Sequence, residues 1–173
     1  MNNKICKEDA YKNLDIVNSW INNIGLKASF ILAFLGILLG NILNVNNIEI
    51  LKKFISIPIN TMSLIEILRT IVVILLIISS MTSAILLILT LLARTKINNI
   101  PKSNYFFGNI ANMDRIEFLN NFERMNEKTV KKEILNQVYV NSKICSCKSK
   151  LYNKSIKYIV VTVILTFINY IFC

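Results

Sequence analysis

The residues best suited to binding a ligand are basic and aromatic residues in the second half of the sequence. Phe106 and Phe107 lie shortly before Arg115, and an aromatic ring can stack on a base while a nearby cation holds a phosphate. Lys143 and Lys148 begin a cluster of five lysines that precedes the last apolar run, and this cluster can hold an anion. Composition alone also fits simpler roles, with the aromatic residues as membrane-surface anchors and the lysines in contact with lipid headgroups.

Catalytic and metal-binding patterns are missing from the sequence. There is no histidine, which excludes Ser-His-Asp and Cys-His nucleophilic sites and every His-ligated metal site. Cys145 and Cys147 form a lone thiol pair without the second pair that a zinc site needs. The carboxylates of the second half alternate with Lys and Arg, as on solvated helix faces. The sequence therefore predicts no enzyme, no metal and no cofactor.

Three long stretches carry no charged residue, and the chain is 54% hydrophobic. A helix of about 20 apolar residues crosses the hydrocarbon core of a bilayer. We therefore predict an all-α membrane protein with three transmembrane helices and a helical cytosolic segment between the second and third. The predicted segments are an N-terminal cytosolic helix (1–27), span 1 (28–48), an external interfacial linker (49–69), span 2 (70–93), a basic cytosolic segment (94–157) and span 3 (158–173). The third run is the shortest, and an interfacial or packed helix is the alternative there.

The distribution of charge predicts the orientation. The net charge of +10 is concentrated in residues 94–157, which hold thirteen Lys and Arg against five Asp and Glu. Basic segments next to membrane spans stay on the cytosolic side. We therefore expect a multi-pass protein of the cell inner membrane whose N-terminus is cytosolic and whose 49–69 linker lies outside. In this setting the charge indicates lipid contact and orientation, and no nucleic-acid partner is predicted.

Helix signals outside the spans are local. A continuous helix is predicted from Glu8 to Leu43, and a short interfacial helix ends before Pro58. Ser63 and Glu66 fit a capping box at the start of the second span.

Two further caps are predicted in the basic segment. Asn112 is expected to cap a short helix from Met113 to Arg124, and Asn126 to cap a second helix that contains no Gly or Pro as far as the C-terminus. A packing stripe is expected on this last helix at Ile134, Val138, Cys145 and Tyr152.

Small residues in the first two spans predict close helix packing. Gly36 and Gly40 form a GxxxG pair, and Ser80 and Ala84 offer a similar surface on the second span. Small residues let two helix backbones approach closely in a bilayer. Self-association of subunits into a homo-oligomer and packing of the two spans within one chain both follow from this pattern, and the residues leave both open.

Three stretches, in order, resemble the Pycsar effector transmembrane family of bacterial antiphage defence. They are WINNIGLKASFILAFLG beginning at Trp20, NYFFGNIA beginning at Asn104, and QVYVNSKICSCK beginning at Gln137, the last followed by an apolar run. Their order and spacing match the family over roughly residues 14–172. One departure is Gly25, where the family pattern places an Asp two residues before Lys27.

The resemblance implies a defence effector. A partner cyclase would make a cyclic pyrimidine nucleotide, cUMP or cCMP, and the effector would sense it and disrupt the inner membrane, causing abortive infection. The expected ligand-binding residues are Lys143, Lys148, Phe106, Phe107 and Arg115. The alternatives are a small membrane scaffold or transporter subunit without a nucleotide ligand, and a constitutive holin-like toxin.

Overall fold

The protein is helical throughout the part of the chain that the structure describes. The computed structural model describes residues 6–56, 58, 61–92 and 103–171, except for the side chain of Phe107. No strand occurs in these ranges. The helices are α1 (Lys7–Ile42), α2 (Val45–Ser56), α3 (Leu64–Leu91), α4 (Phe107–Ile110), α5 (Arg115–Glu123) and α6 (Glu127–Ile171).

Three of these helices are long and apolar enough to cross a membrane. They are α1, α3 and α6, with 36, 28 and 45 residues. At 1.5 Å per residue, each exceeds the roughly 30 Å of a hydrocarbon core. The predicted fold class, an all-α protein with three membrane-crossing helices, is confirmed. The helices extend beyond the uncharged runs, and where the membrane boundaries fall along them stays a prediction.

The beginning of each membrane helix follows from its local sequence. The backbone N–H of Cys6 donates to the Asp9 carboxylate at 3.0 Å, which satisfies a free donor at the start of α1. At the start of α3, Glu66 N donates to Ser63 Oγ at 3.3 Å and Ser63 N donates to Glu66 Oε2 at 2.9 Å. This is the predicted capping box, and Lys53 of α2 also pairs with Glu66.

The caps between α4 and α6 partly differ from the prediction. Asp114, and not Asn112, caps α5 by accepting from Ile116 N at 3.1 Å. The Asn112 side chain instead donates to Gly108 O at 2.7 Å, because the chain is still turning after α4 when it reaches this residue. Asn126 does cap α6, with its Oδ1 accepting from Thr129 N at 2.9 Å.

The predicted packing stripe on α6 is only partly correct. Ile134 is fully buried and the partly exposed Tyr152 packs against the core of the apolar unit, whereas Val138 and Cys145 are partly exposed and belong to neither core. Most of the buried positions of this helix are polar, which hydrophobic periodicity does not detect. They are Gln137, Lys148, Ser155, Thr162 and Asn169.

The chain divides into two compact units. The first, called the basic unit because it contains most of the basic segment at 94–157, comprises Met1–Ile24 and Leu92–Lys148. The second, called the apolar unit because it contains most of the three uncharged runs, comprises Gly25–Leu91 and Ser149–Cys173. Both α1 and α6 contribute residues to each unit without a break in the helix.

The two units have separate cores of different size. In the basic unit, Leu14, Tyr105 and Met125 pack on a small buried core of Ala10, Val130 and Ile134. In the apolar unit, partly buried residues from α1, α3 and α6 surround a larger core centred on Ala28, Leu35, Leu87 and Ile159.

Candidate functional site

The aromatic turn before α4 is fixed to α6 by one carboxylate. Glu133 Oε2 accepts from Asn104 N at 3.0 Å and from Ser103 Oγ at 3.3 Å, and its Oε1 accepts from Asn104 Nδ2 at 3.3 Å. Ser103 is only 3% exposed. Hydrogen bonds to an ionised acceptor are stronger than neutral ones. Glu133 therefore holds the start of the NYFFG segment in place on the basic unit.

Tyr105 is the packing residue of this turn. Its ring joins the small core of Ala10 and Ile134, and its centroid lies 6.1 Å from that of Phe122. Burial, a hydrogen bond with Tyr11, and the charges of Tyr11 and Glu133 raise the pKa of Tyr105 to about 12. The phenol therefore stays neutral at physiological pH and acts as an anchor between α1 and α6.

Gly108 has a steric reason to be glycine. A Cβ added there would lie 2.7 Å from Phe106 Cε1 and 3.2 Å from Cζ, so any larger residue must displace the Phe106 ring. The ring is partly exposed. Phe107 begins α4, and its side chain lies outside the described part of the structure. The FFG sequence thus sets the position of one aromatic ring at the surface of the basic unit.

The predicted cationic residues occupy different surroundings. Lys143 is exposed, with its Nζ 5.2 Å from the centroid of the Tyr139 ring. Lys148 is only 8% exposed and lies five residues further along α6, about 140° around the helix. Arg115 is exposed in the first turn of α5. Lys143 and Lys148 therefore do not share a helix face, and the five-residue ligand site stays a prediction.

Sequence reasoning missed two polar contacts of the basic unit. Glu133 was interpreted as part of a solvated helix face, because its partners lie 29 and 30 residues away and nothing local marks them. Asn141 Nδ2 donates to Asn18 Oδ1 at 2.8 Å, which connects α6 to α1 across 123 positions of sequence. Within the sequence, the pairing of two asparagines has no detectable signal.

The residues predicted for helix packing fall into two groups. Ser80 is fully buried and Ala84 packs against the core of the apolar unit, so this surface is used within the chain. Gly36 and Gly40 are exposed, and a Cβ added to either would have no heavy atom within 4 Å. The glycine pair is therefore not a contact between the spans of one chain, and its role in self-association stays a prediction.

Comparison with known proteins places the chain in a family. The family model described as "Pycsar effector protein domain" (PycTM) matches residues 9–173. The Pycsar effector protein GmPycTM of Gulbenkiania mobilis is 32% identical over 178 aligned residues, which cover 91% of this chain and 88% of that protein. No solved structure matches. The chain therefore belongs to the Pycsar effector family and is an antiphage defence effector whose three long apolar helices make it a membrane protein.

Proposed function

We propose that the protein senses a cyclic pyrimidine nucleotide, cUMP or cCMP, and responds by disrupting the inner membrane, so that the infected cell dies. The nucleotide would come from a partner cyclase. Family membership supports the role of an effector rather than an enzyme. The observation that carries the mechanism is that α1 and α6 each supply residues to the basic unit and to the apolar unit without a break in the helix.

The charge distribution supports a cytosolic sensor. The basic unit contains most of the segment with thirteen Lys and Arg, and such segments remain in the cytosol. In this orientation the N-terminus is cytosolic and the capping box of Ser63 and Glu66 lies outside. A nucleotide made in the cytosol would then meet the basic unit directly.

Helix continuity lets a binding event act on the membrane helices. A ligand shifts a conformational equilibrium only as far as its affinities for the two states differ. A shift from 1:99 to 99:1 takes about 5.5 kcal/mol of differential binding. Two or three charge-assisted hydrogen bonds to a phosphate supply a contribution of this size, the more so when several copies of the chain respond together.

Among the predicted ligand residues, Lys143 has the best geometry for a phosphate. Its ammonium group is exposed and lies near the face of Tyr139, which restricts its position. The partly exposed Phe106 ring offers a stacking surface for a base, and Arg115 is open to solvent. Lys148 and Phe107 complete the proposed set.

The decisive experiment measures membrane potential and ligand binding on the same protein. Cells that express the full chain receive membrane-permeant esters of cUMP, cCMP or, as the control, cAMP, because the charged nucleotides do not cross a bilayer, and depolarisation is followed with a potential-sensitive dye. Calorimetry on the purified protein measures binding. We expect one pyrimidine nucleotide to bind and to depolarise the cells. Depolarisation on expression alone would indicate a holin-like toxin, and neither binding nor depolarisation would favour a scaffold or transporter subunit.

The site is tested with a matched pair of charge reversals on α6. Lys143→Glu replaces the exposed phosphate candidate, and Lys128→Glu makes the same change in the exposed first turn, where the helix dipole favours an acid. Loss of a charge-assisted hydrogen bond of about 2 kcal/mol weakens binding about thirtyfold in the first variant. Equal affinity of the two variants would remove Lys143 from the site.

A further inference from the structure

The apolar unit contains a belt of buried hydroxyl groups on α3 and α6, most of them inside the predicted spans, with Ser155 three residues before the third. Ser79, Ser80 and Ser83 of α3 are 6%, 0% and 0% exposed. They lie near the middle of the uncharged run at 70–93. Ser155 and Thr162 of α6 are both 0% exposed. We call these five residues the hydroxyl belt.

Hydrogen bonds join the two sides of the hydroxyl belt. Ser79 Oγ and Thr162 Oγ1 are 2.9 Å apart, and Ser83 Oγ donates to Ser155 O at 3.2 Å. Because the higher α3 number pairs with the lower α6 number, the two helices are antiparallel here. Several of the hydroxyls also reach a carbonyl of their own helix, as Thr162 does with Tyr158 O at 2.9 Å.

The polar positions continue along α6. Ser155, Thr162 and Asn169 follow one another at intervals of seven residues, which keeps them on one side of the helix. Asn169 is 8% exposed, and its Nδ2 donates to Asn47 Oδ1 at 3.3 Å. Its Oδ1 is buried and accepts no hydrogen bond from any residue in the described part of the chain. Such a group gains a partner when water reaches it.

An interface between helices that is made of hydroxyl groups can become hydrated at a small cost in free energy. Exchange of a hydrogen bond between protein groups for one to water is nearly neutral, whereas an apolar seam opposes hydration in proportion to its area. The bonds of Thr162 and Ser155 to carbonyls of their own helix survive the exchange. The interface between α3 and α6 is therefore the part of the apolar unit best suited to contact water inside a membrane.

We propose that the hydroxyl belt, together with Asn169, lines the water-filled path through which ions cross when the protein disrupts the membrane. This inference rests on the proposed function and names the residues that carry it out. While the hydroxyls are buried between α3 and α6, the belt leaves no open channel. The two helices must therefore rotate so that their polar faces point away from each other. Polar faces from several copies of the chain then line the path together. The hydroxyl and amide groups of the path carry no charge themselves and can hydrate small ions of either sign.

The test measures water access at single cysteines. Cys6, Cys145, Cys147 and Cys173 are replaced by Ser, and Thr162→Cys is introduced into this background. A membrane-impermeant cationic methanethiosulfonate is applied to proteoliposomes with and without the pyrimidine nucleotide that binds. A shift from 1:99 to 99:1 raises the open fraction about a hundredfold, so we expect labelling to accelerate by at least about tenfold. Ile85→Cys, at an outward-facing position of α3, is the control that stays slow.

A second variant separates an ion path from mere helix contact. Thr162→Val keeps the shape of the side chain and removes its hydroxyl. We expect nucleotide binding to be unchanged by calorimetry and the leak of a small ion to fall about tenfold, because an apolar group then faces the path. Nucleotide-induced leakage with no labelling at Thr162→Cys, or with full leakage in Thr162→Val, would overturn the hydroxyl belt alone. A chain that neither binds nucleotide nor leaks would overturn the proposed function and the belt together.

Discussion

The basic unit and the apolar unit are held together by different forces. The core cluster of the basic unit is built on Ala10, Val130 and Ile134, and the Glu133 carboxylate fixes the aromatic turn that packs on it. The apolar unit has a larger apolar core, and hydroxyl pairs such as Ser79 with Thr162 join its helices. In water burial of apolar surface drives packing, whereas in lipid it does not, because lipid tails are as apolar as leucine.

This difference indicates separate roles for the two units, with ligand binding in the basic unit and the membrane response in the apolar unit. A small core with few apolar contacts opens at low free energy, and such regions are the ones that ligands order. The apolar unit instead relies on close packing and on polar contacts between hydroxyl groups. Each of these groups can form a hydrogen bond of comparable strength with another hydroxyl or with water. A nucleotide would then act by ordering the basic unit, and the apolar unit would respond along α1 and α6.

The largest expected effect on stability comes from shortening one buried side chain to alanine in each unit. Ile134→Ala removes buried apolar volume in water and should cost the basic unit about 3 kcal/mol. Leu87→Ala removes the same number of carbons from the apolar unit and should cost about half as much, because only packing is lost in lipid. Hydrogen exchange of the full chain in lipid nanodiscs measures both. An equal loss of unfolding free energy in the two variants would contradict the view that the basic unit packs in water and the apolar unit in lipid.

The next effect concerns the carboxylate that fixes the aromatic turn. Glu133→Ala leaves Ser103 and Asn104 without their acceptor and should lower the local opening free energy of the turn by about 2 kcal/mol. The readout is hydrogen exchange of residues 103–110, with protection of α3 unchanged. Glu123→Ala removes an exposed carboxylate from α5 and should change protection by less than about 0.5 kcal/mol. Unchanged exchange of the turn in Glu133→Ala would show that this carboxylate is not its anchor.

The smallest expected effect on stability comes from replacing one glycine by alanine in each unit, and it has opposite signs in the two units. Gly108→Ala places a Cβ against the Phe106 ring and should destabilise the basic unit by about 1 kcal/mol. Gly25→Ala meets nothing within 4 Å inside α1 and should stabilise that helix by about 1 kcal/mol through helix propensity. Thermal unfolding of both variants in the same detergent gives the comparison. A stabilising Gly108→Ala would mean that the ring moves aside freely.

Much of the architecture could be predicted because its signals are local. The α1 helix was expected from Glu8 to Leu43 and runs from Lys7 to Ile42, since a continuous apolar face and the absence of proline specify it. The capping box at Ser63 is local to four residues. The cap of α5 was misplaced from Asp114 to Asn112, because both side chains can cap a helix and only the path of the chain after α4 selects between them.

The candidate site was less predictable. Lys143 and Lys148 look equivalent in sequence, but five residues of helix place one in solvent and bury the other. Glu133 resembles its neighbouring carboxylates until its partners, 29 and 30 residues away, are known. The pairing of Ser79 with Thr162 extends over 83 positions. Periodicity finds apolar faces, and it has no means of finding a buried polar one.

The sequence by itself determined the class of the molecule: an all-α membrane protein with three long apolar helices, one concentrated basic segment and the features of a defence effector family. Uncharged length, helix caps and charge are properties of consecutive residues, so the sequence is sufficient to establish them. Only the tertiary structure decided which polar groups meet: Glu133 with the aromatic turn, and Ser79 with Thr162. Such pairs form between elements far apart in sequence, where a residue's partner depends on how each helix is rotated, and that rotation is set by packing of the whole unit.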